Sequence, residues 1–171
     1  MHVSLYKASV ATFSKHLNAL DGILDKMAAY ADARKIDPAV LLSARLYPDM
    51  FTLKRQVQEA CTFPLSATSR LCDLPFENPK NDEVTIADLK GRVAATQAFL
   101  AAIKPEQLDG AAERTITLKV GPNEMTFTGE DYLLHFVLPN FYFHCSTAYG
   151  ILRANGLAIG KRDYMRRTTP A

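Results

Sequence analysis

Seven apolar residues near the start of the chain, Val10, Phe13, Leu17, Leu20, Leu24, Met27 and Ala31, step by three and four. Side chains at that spacing stack on one face of an α-helix, and a helix carrying one such stripe must bury it against a partner. The stripe predicts a first long helix from about Leu5 to Ala33, with Gly22 its one weak position. The period then recurs three times. Met50, Leu53, Val57, Ala60 and Cys61 mark a second helix over about 48–72, opened by Pro48, and Pro64 is expected to kink or break it. A short helix precedes it, with Asp37 as cap and Pro38 at the first position, where a missing N–H costs nothing. Leu89, Val93, Thr96, Phe99, Leu100 and Ile103 mark a third, and Thr85 with Asp88 three residues on reads as its capping box. The fourth follows Gly129, is interrupted at Pro139, and stops at Asn155-Gly156, a left-handed cap signal.

Between the third and fourth stripes the period falls to two. Ile116, Leu118 and Val120 alternate with polar residues, "GPNE" supplies a turn, and Met125 and Phe127 alternate again, which is the pattern of a β-hairpin. Four long amphipathic helices, each with one face to bury, predict an all-α fold: an up-down four-helix bundle with a small β-hairpin before the last long helix. The 171 residues fit a single domain, 1–171.

Composition narrows the function classes. Twenty basic against eighteen acidic residues leave a formal charge of +2, too balanced for a nucleic-acid or membrane-surface binder. No apolar run approaches the roughly 20 residues of a membrane span, and "MHVSLYKASVATFSKHLNAL" lacks the apolar centre of a signal peptide. Three cysteines, an odd number, argue against a disulfide framework. Cys61 and Cys72 would stand about 16 Å apart on one helix, whereas a disulfide needs Cα atoms within roughly 7 Å. Reduced thiols and a cytoplasmic location are the expectation.

Polar residues concentrate at two places. On the second helix Arg45, Asp49, Thr52 and Gln56 step by four, three and four, which aligns them on one face provided the helix runs through Pro48. That row is either a solvated flank or the wall of a pocket, and Asp49 would pair with Arg45 if buried. On the fourth helix Asn140 and His144 are one turn apart, with Tyr149 nearby. A cavity bordered by Asp49, Gln56, Asn140, His144 and Tyr149 would be apolar with a few convergent polar groups, the usual character of a ligand site. The aromatics Phe141, Tyr142, Phe143 and Tyr149 read mainly as core. Cys145 points about 100° away from His144, too far round the helix for a thiol–imidazole pair, and reads as a small buried hydrophobe. His135 and His144, nine residues apart, fall on opposite faces of an unbroken helix. In "IGKRDY", Lys161 and Asp163 either pin the chain end to the bundle or present Lys161 to an anionic ligand.

Three blocks, "RLYPDMFTLKRQVQ", "FVLPNFYFHCSTAYGILRANG" and "IGKRDY", resemble the bacterial proteins grouped as the domain of unknown function DUF1993, within the DinB/YfiT-like superfamily of four-helix bundles. The resemblance spans nearly the whole chain. It implies the bundle fold, pairing into a homodimer, and a relation to metal-dependent hydrolases and thiol-dependent transferases. The superfamily's usual centre is three histidines, one from the second helix and two from an H-x-x-x-H on the last. Setting "LRANG" against the end of that helix places His144 on the second of the pair and Asn140 on the first. The second helix contains no histidine, so the three-His site is degenerate: no cofactor is expected, and a divalent zinc or nickel ion, if one binds, would be held by His144.

Two readings follow. In the first, a small molecule binds between helices two and four, with His144 and Asp49 as acid/base groups and Arg45, Gln56, Asn140 and Tyr149 positioning it. In the second the bundle is a non-catalytic dimeric structural or interaction protein. A divergent metal-dependent hydrolase or thiol-dependent transferase is the third alternative, implied by the resemblance alone.

Overall fold

The computed structural model describes residues 3–165. A π-helical turn over Lys7–Ala11 runs directly into α1, Thr12–Arg34, and the predicted stripe from Val10 to Ala31 is buried throughout. Lys35 closes α1 in the left-handed conformation at φ 54°. Asp37 caps α2, Pro38–Ser43, by accepting from the Ala39 N–H at 2.9 Å.

The second long helix, α3, spans Leu53–Leu71 and so begins five residues later than Pro48 suggested. Thr52 is its cap, extended at φ −66° and ψ 161°, with its hydroxyl accepting from the Arg55 N–H. Residues 44–52 form a closed loop instead. The Leu53 N–H bonds the Ala44 carbonyl at 2.8 Å across its neck. Inside it the Arg45 guanidinium donates to the carbonyls of Pro48 and Met50 at 3.1 and 3.2 Å, which satisfies groups a helix would otherwise have paired. Pro64 does not break α3. It is buried within a helix that continues for seven more residues, where packing against two neighbours outweighs one lost backbone bond.

The third bundle helix, α4, is Ile86–Ala102, and its capping box forms as expected: Asp88 N–H to Thr85 Oγ1 at 3.1 Å, and Thr85 N–H to Asp88 Oδ2 at 2.9 Å. Two short 3₁₀ turns, Pro105–Leu108 and Ala111–Glu113, lead into the hairpin of β1, Thr115–Val120, and β2, Asn123–Thr128. Val120 pairs with Asn123, so the turn is the two residues Gly121-Pro122, with Gly121 at φ 60° as a first turn position of this kind requires. Ile116 and Leu118 face Phe127 and Met125 across the ladder.

A single turn, α5, Gly129–Asp131, opens the last long helix, and the Thr128 hydroxyl caps it by accepting from Asp131 N–H at 3.1 Å. Gly129 is there because nothing larger fits: a Cβ would lie 1.8 Å from the Ala111 carbonyl oxygen. The chain then takes a π-helical stretch, Tyr132–Val137, and continues as α6, Leu138–Ala154. Pro139 was expected to interrupt this helix. The π stretch ends just before the proline, with Leu138 N–H bonding the carbonyl five residues back, and carries the helix past it unbroken. Gly156, at φ 87°, ends α6 against the Tyr30 hydroxyl, which donates to the Asn155 carbonyl at 3.1 Å. The described chain closes with α7, Lys161–Met165.

The long helices α1, α3, α4 and α6 form a four-helix bundle in which α3 packs against both α4 and α6, while α1 packs against α4, α6 and α7. The hairpin sits between α4 and α6 in sequence. No helix among the described residues is long and apolar enough to cross a membrane.

Candidate functional site

The α3–α6 seam brings together two of the predicted site residues. His144, 6% exposed on α6, places its Nδ1 2.7 Å from Oε1 of Gln56, 1% exposed on α3. A carbonyl oxygen can only accept, so Nδ1 carries the proton and Nε2 keeps its lone pair. The amide orientation is set in turn by Gln56 Nε2, which donates to the Phe51 carbonyl at 3.4 Å. Burial, reinforced by the nearby Arg55 cation, depresses the His144 pKa to about 4. At neutral pH the ring is therefore uncharged.

Aromatic rings surround it. Phe63 lies 5.5 Å away at 25° to the imidazole and Phe51 6.4 Å away at 15°, both roughly parallel, while Phe143 meets it edge-on at 5.5 Å. Phe51 also carries the Arg55 guanidinium at 5.4 Å from its ring centroid, and Arg55 is tied to Glu59 one turn on at 2.5 Å. None of Phe51, Phe63 or Arg55 was expected at the site. Phe63 stands seven residues, two helical turns, beyond Gln56, so the spacing itself carried that signal. Phe143 was read as core and is instead 53% exposed.

The other predicted residues lie elsewhere. Asp49 is exposed in the 44–52 loop and has no ion-pair partner among the described residues; Arg45 turns onto loop carbonyls and not onto Asp49. The expected polar row along helix two therefore does not form, because Arg45 and Asp49 precede the helix and Thr52 is spent as its cap. Asn140 is half-buried and donates from Nδ2 to the Phe136 carbonyl at 2.7 Å. Tyr149 lies round the helix from His144, facing α7, where its ring meets Tyr164 edge-on at 6.0 Å. His135 is exposed and stands 3.8 Å from Asp131 one turn back, apart from His144.

The seam can hold a ligand through one imidazole lone pair and flat apolar surfaces. It does not fit a three-His metal centre: Asn140 is turned to the backbone, and no three His, Cys, Asp or Glu side chains come together among the described residues to hold a metal ion. Burial disfavours the thiolate form of every cysteine. Cys61, Cys72 and Cys145 are all free; burial pushes Cys61 up to about 12 and raises the pKa of Cys72 and Cys145 too.

Comparison with known proteins agrees with this architecture. The family model described as "Domain of unknown function (DUF1993)" matches residues 5–165. A crystal structure of a DinB family member protein from Shewanella denitrificans superimposes with a TM-score of 0.88 at 36% identity, covering 98% of this chain and 94% of that one. No curated protein matches.

Proposed function

For this chain, which belongs to the DUF1993 family of DinB-like helical bundles, we propose a small-molecule-binding role centred on His144, in which the superfamily's metal position has become a neutral hydrogen-bond acceptor. The observation that carries this reading is the 2.7 Å bond from His144 Nδ1 to Gln56 Oε1, made between the two helices that supply the three-His centre of metal-binding relatives. It commits the imidazole to one tautomer and turns Nε2 into a fixed acceptor. A base whose conjugate acid has a pKa of about 4 is a poor proton abstractor near neutrality, so recognition suits it better than acid–base chemistry. The ligand class that matches is a neutral, flat molecule with one O–H or N–H donor, its donor on Nε2 and its ring against the Phe51 and Phe143 faces.

The test is metal analysis of the purified protein, followed by a thermal-shift screen of neutral phenols and heteroaromatic amides. Stabilisation by members of that class, lost in His144→Ala and in Gln56→Ala, supports the reading. Stoichiometric zinc or nickel that disappears in His144→Ala would sink it and restore a metalloenzyme.

A second reading is favoured by the surface around the same residue. Leu46, Phe51 and Phe143 are 47%, 51% and 53% exposed, and a Cβ on Gly150 of α6 would lie 3.6 Å from Leu46, so loop and helix present apolar side chains together. Such a patch suits a homodimer interface. Light scattering that gives a dimer for the wild type and a monomer for Phe143→Glu selects this reading.

A further inference from the structure

A cavity lies away from His144, in the cleft where α7 folds back over α1 and α6. It measures about 230 Å³ and is lined by Ser146, Tyr149, Lys161 and Tyr164. Lys161 also borders an adjoining groove of about 610 Å³, whose other described walls are Lys15, Arg162 and Met165. Lys161 thus stands where a cavity walled by two phenols and a serine adjoins a groove that carries two further cations, Lys15 and Arg162.

The charges around the cleft are unevenly matched. Asp163, the acid of the same short helix, is fully engaged: Lys26 reaches Oδ1 at 2.6 Å and the Gly160 N–H reaches Oδ2 at 2.8 Å. Among the described residues no carboxylate pairs with Lys15, Lys161 or Arg162. The hydroxyls complement the cations. Ser146 Oγ donates to Tyr164 Oη at 3.1 Å, which leaves the phenol proton available to donate onward. Burial holds the Tyr164 phenol above its ordinary range, so it stays protonated at neutral pH. The Tyr164 ring is held by two edge-on contacts, to His16 at 5.8 Å and to Tyr149 at 6.0 Å, so the two phenols form one continuous aromatic wall.

We propose that this cleft is a binding site for a small aryl anion, its ring in the cavity against the edge-on Tyr149–Tyr164 pair and its phosphate or carboxylate head on Lys161 and Arg162. A cavity of this size holds one aromatic ring, and a flat ring gains most against aromatic edges and faces. A head group at the rim keeps its charge partly hydrated while gaining charge-assisted hydrogen bonds from a lysine and an arginine. The site is independent of the reading of His144, which lies on the α3 side of α6.

The probe is phenyl phosphate, titrated into uniformly ¹⁵N-labelled protein, with benzoate, phenol and inorganic phosphate as separate arms. Saturable shifts at the amides of Ser146, Tyr149 and Tyr164 are expected with phenyl phosphate and with benzoate, and both are expected to bind about tenfold more tightly than phenol or inorganic phosphate alone. Lys161→Gln should weaken phenyl phosphate by roughly tenfold while leaving the unfolding midpoint unchanged, since Lys161 is exposed. Glu59→Gln, remote from the cleft, should leave binding as it was. The proposal is overturned if phenyl phosphate moves none of those amides or Lys161→Gln binds it as well as the wild type. Inorganic phosphate binding as tightly as phenyl phosphate also overturns it, because the cavity would then contribute nothing.

Discussion

His144 Nδ1 and Gln56 Oε1 lie 2.7 Å apart although 88 residues of chain separate them, and that one contact decides which nitrogen of the ring is protonated. Everything the seam between α3 and α6 can do chemically depends on it.

The first consequence is a pH dependence of stability. With a folded pKa of about 4 against an ordinary 6.5, the native protein refuses a proton that the unfolded chain accepts between those values. Stability from this source is therefore fully present above about pH 6.5 and is lost as pH falls toward 4, a swing of about 3 kcal/mol. Urea unfolding across that range should show His144→Gln losing correspondingly less on acidification than the wild type. The carboxylates of Glu83, Asp88 and Asp163, held below their ordinary values, lose their contributions only at lower pH and do so in both proteins. An NMR titration giving His144 a midpoint near 6.5 would contradict the burial argument.

Gln56 should be separable from His144 by two substitutions. Gln56→Leu removes the acceptor and leaves a buried ring N–H unsatisfied, at a cost of about 1–3 kcal/mol in unfolding free energy. Gln56→Glu instead places a carboxylate against the imidazole and should raise its pKa well above 4, read directly by NMR. A Glu variant whose imidazole still titrates near 4 would show that Gln56 is not the residue in contact.

A buried ion pair anchors the loop between α3 and α4. Arg92, 8% exposed, reaches Glu83 Oε1 and the Lys80 carbonyl with Nη1, both at 2.8 Å, and Thr62 Oγ1 with Nη2 at 2.8 Å. Gln58 donates to the second Glu83 oxygen at 2.7 Å. Burial pushes the Glu83 pKa up, but the hydrogen bonds from Arg92 and Gln58 together outweigh it and hold the carboxyl below its ordinary value. Arg92→Met strands that carboxylate and should cost about 3 kcal/mol in chemical denaturation, whereas Glu59→Gln, in a partly exposed pair with Arg55, should change stability by less than about 1 kcal/mol. Equal effects of the two would refute the distinction drawn from burial.

Gly129→Ala should be severe for a steric reason. The new methyl carbon would lie 1.8 Å from the Ala111 oxygen, a backbone atom that cannot swing aside, so the turn over Ala111–Glu113 or the start of the last helix must move. A loss of about 3 kcal/mol or more is expected from thermal unfolding. Gly91→Ala, on α4 with open space around it, serves as the control and should be neutral or slightly stabilising.

The apolar stripes were readable because they are local: Val10 through Ala31 are buried as their spacing requires, as are Leu89, Val93, Thr96, Leu100 and Ile103, with Phe99 half-buried beside them. The capping box at Thr85 and the stop at Gly156 were readable for the same reason. The start of α3 was not, since Pro48 and Thr52 both carry helix-start chemistry and only the tertiary loop, closed by Ala44 with Leu53 and filled by Arg45, decides between them. That decision removed Arg45 and Asp49 from the candidate site. Gln56 and His144 were each visible as polar residues on apolar helices, but their meeting depends on how α3 and α6 pack, which no spacing within one helix encodes. Tyr149 shares a helix with His144 yet serves a different cleft, because five residues turn it most of the way to the opposite face.

The grip of α7 on α1 has a bearing on the order in which the protein can be made. Lys26 meets Asp163 across 137 residues, and Tyr30 meets Asn155 across 125. A ribosome releases α1 long before either partner has been synthesised. During that interval α1 has neither α6 nor α7 to pack against, and the nascent chain shows a bare apolar stripe, Leu17, Leu24 and Met27 among it, to whatever holdase is at hand. Of the described helices, the one made first is among the last to be finished.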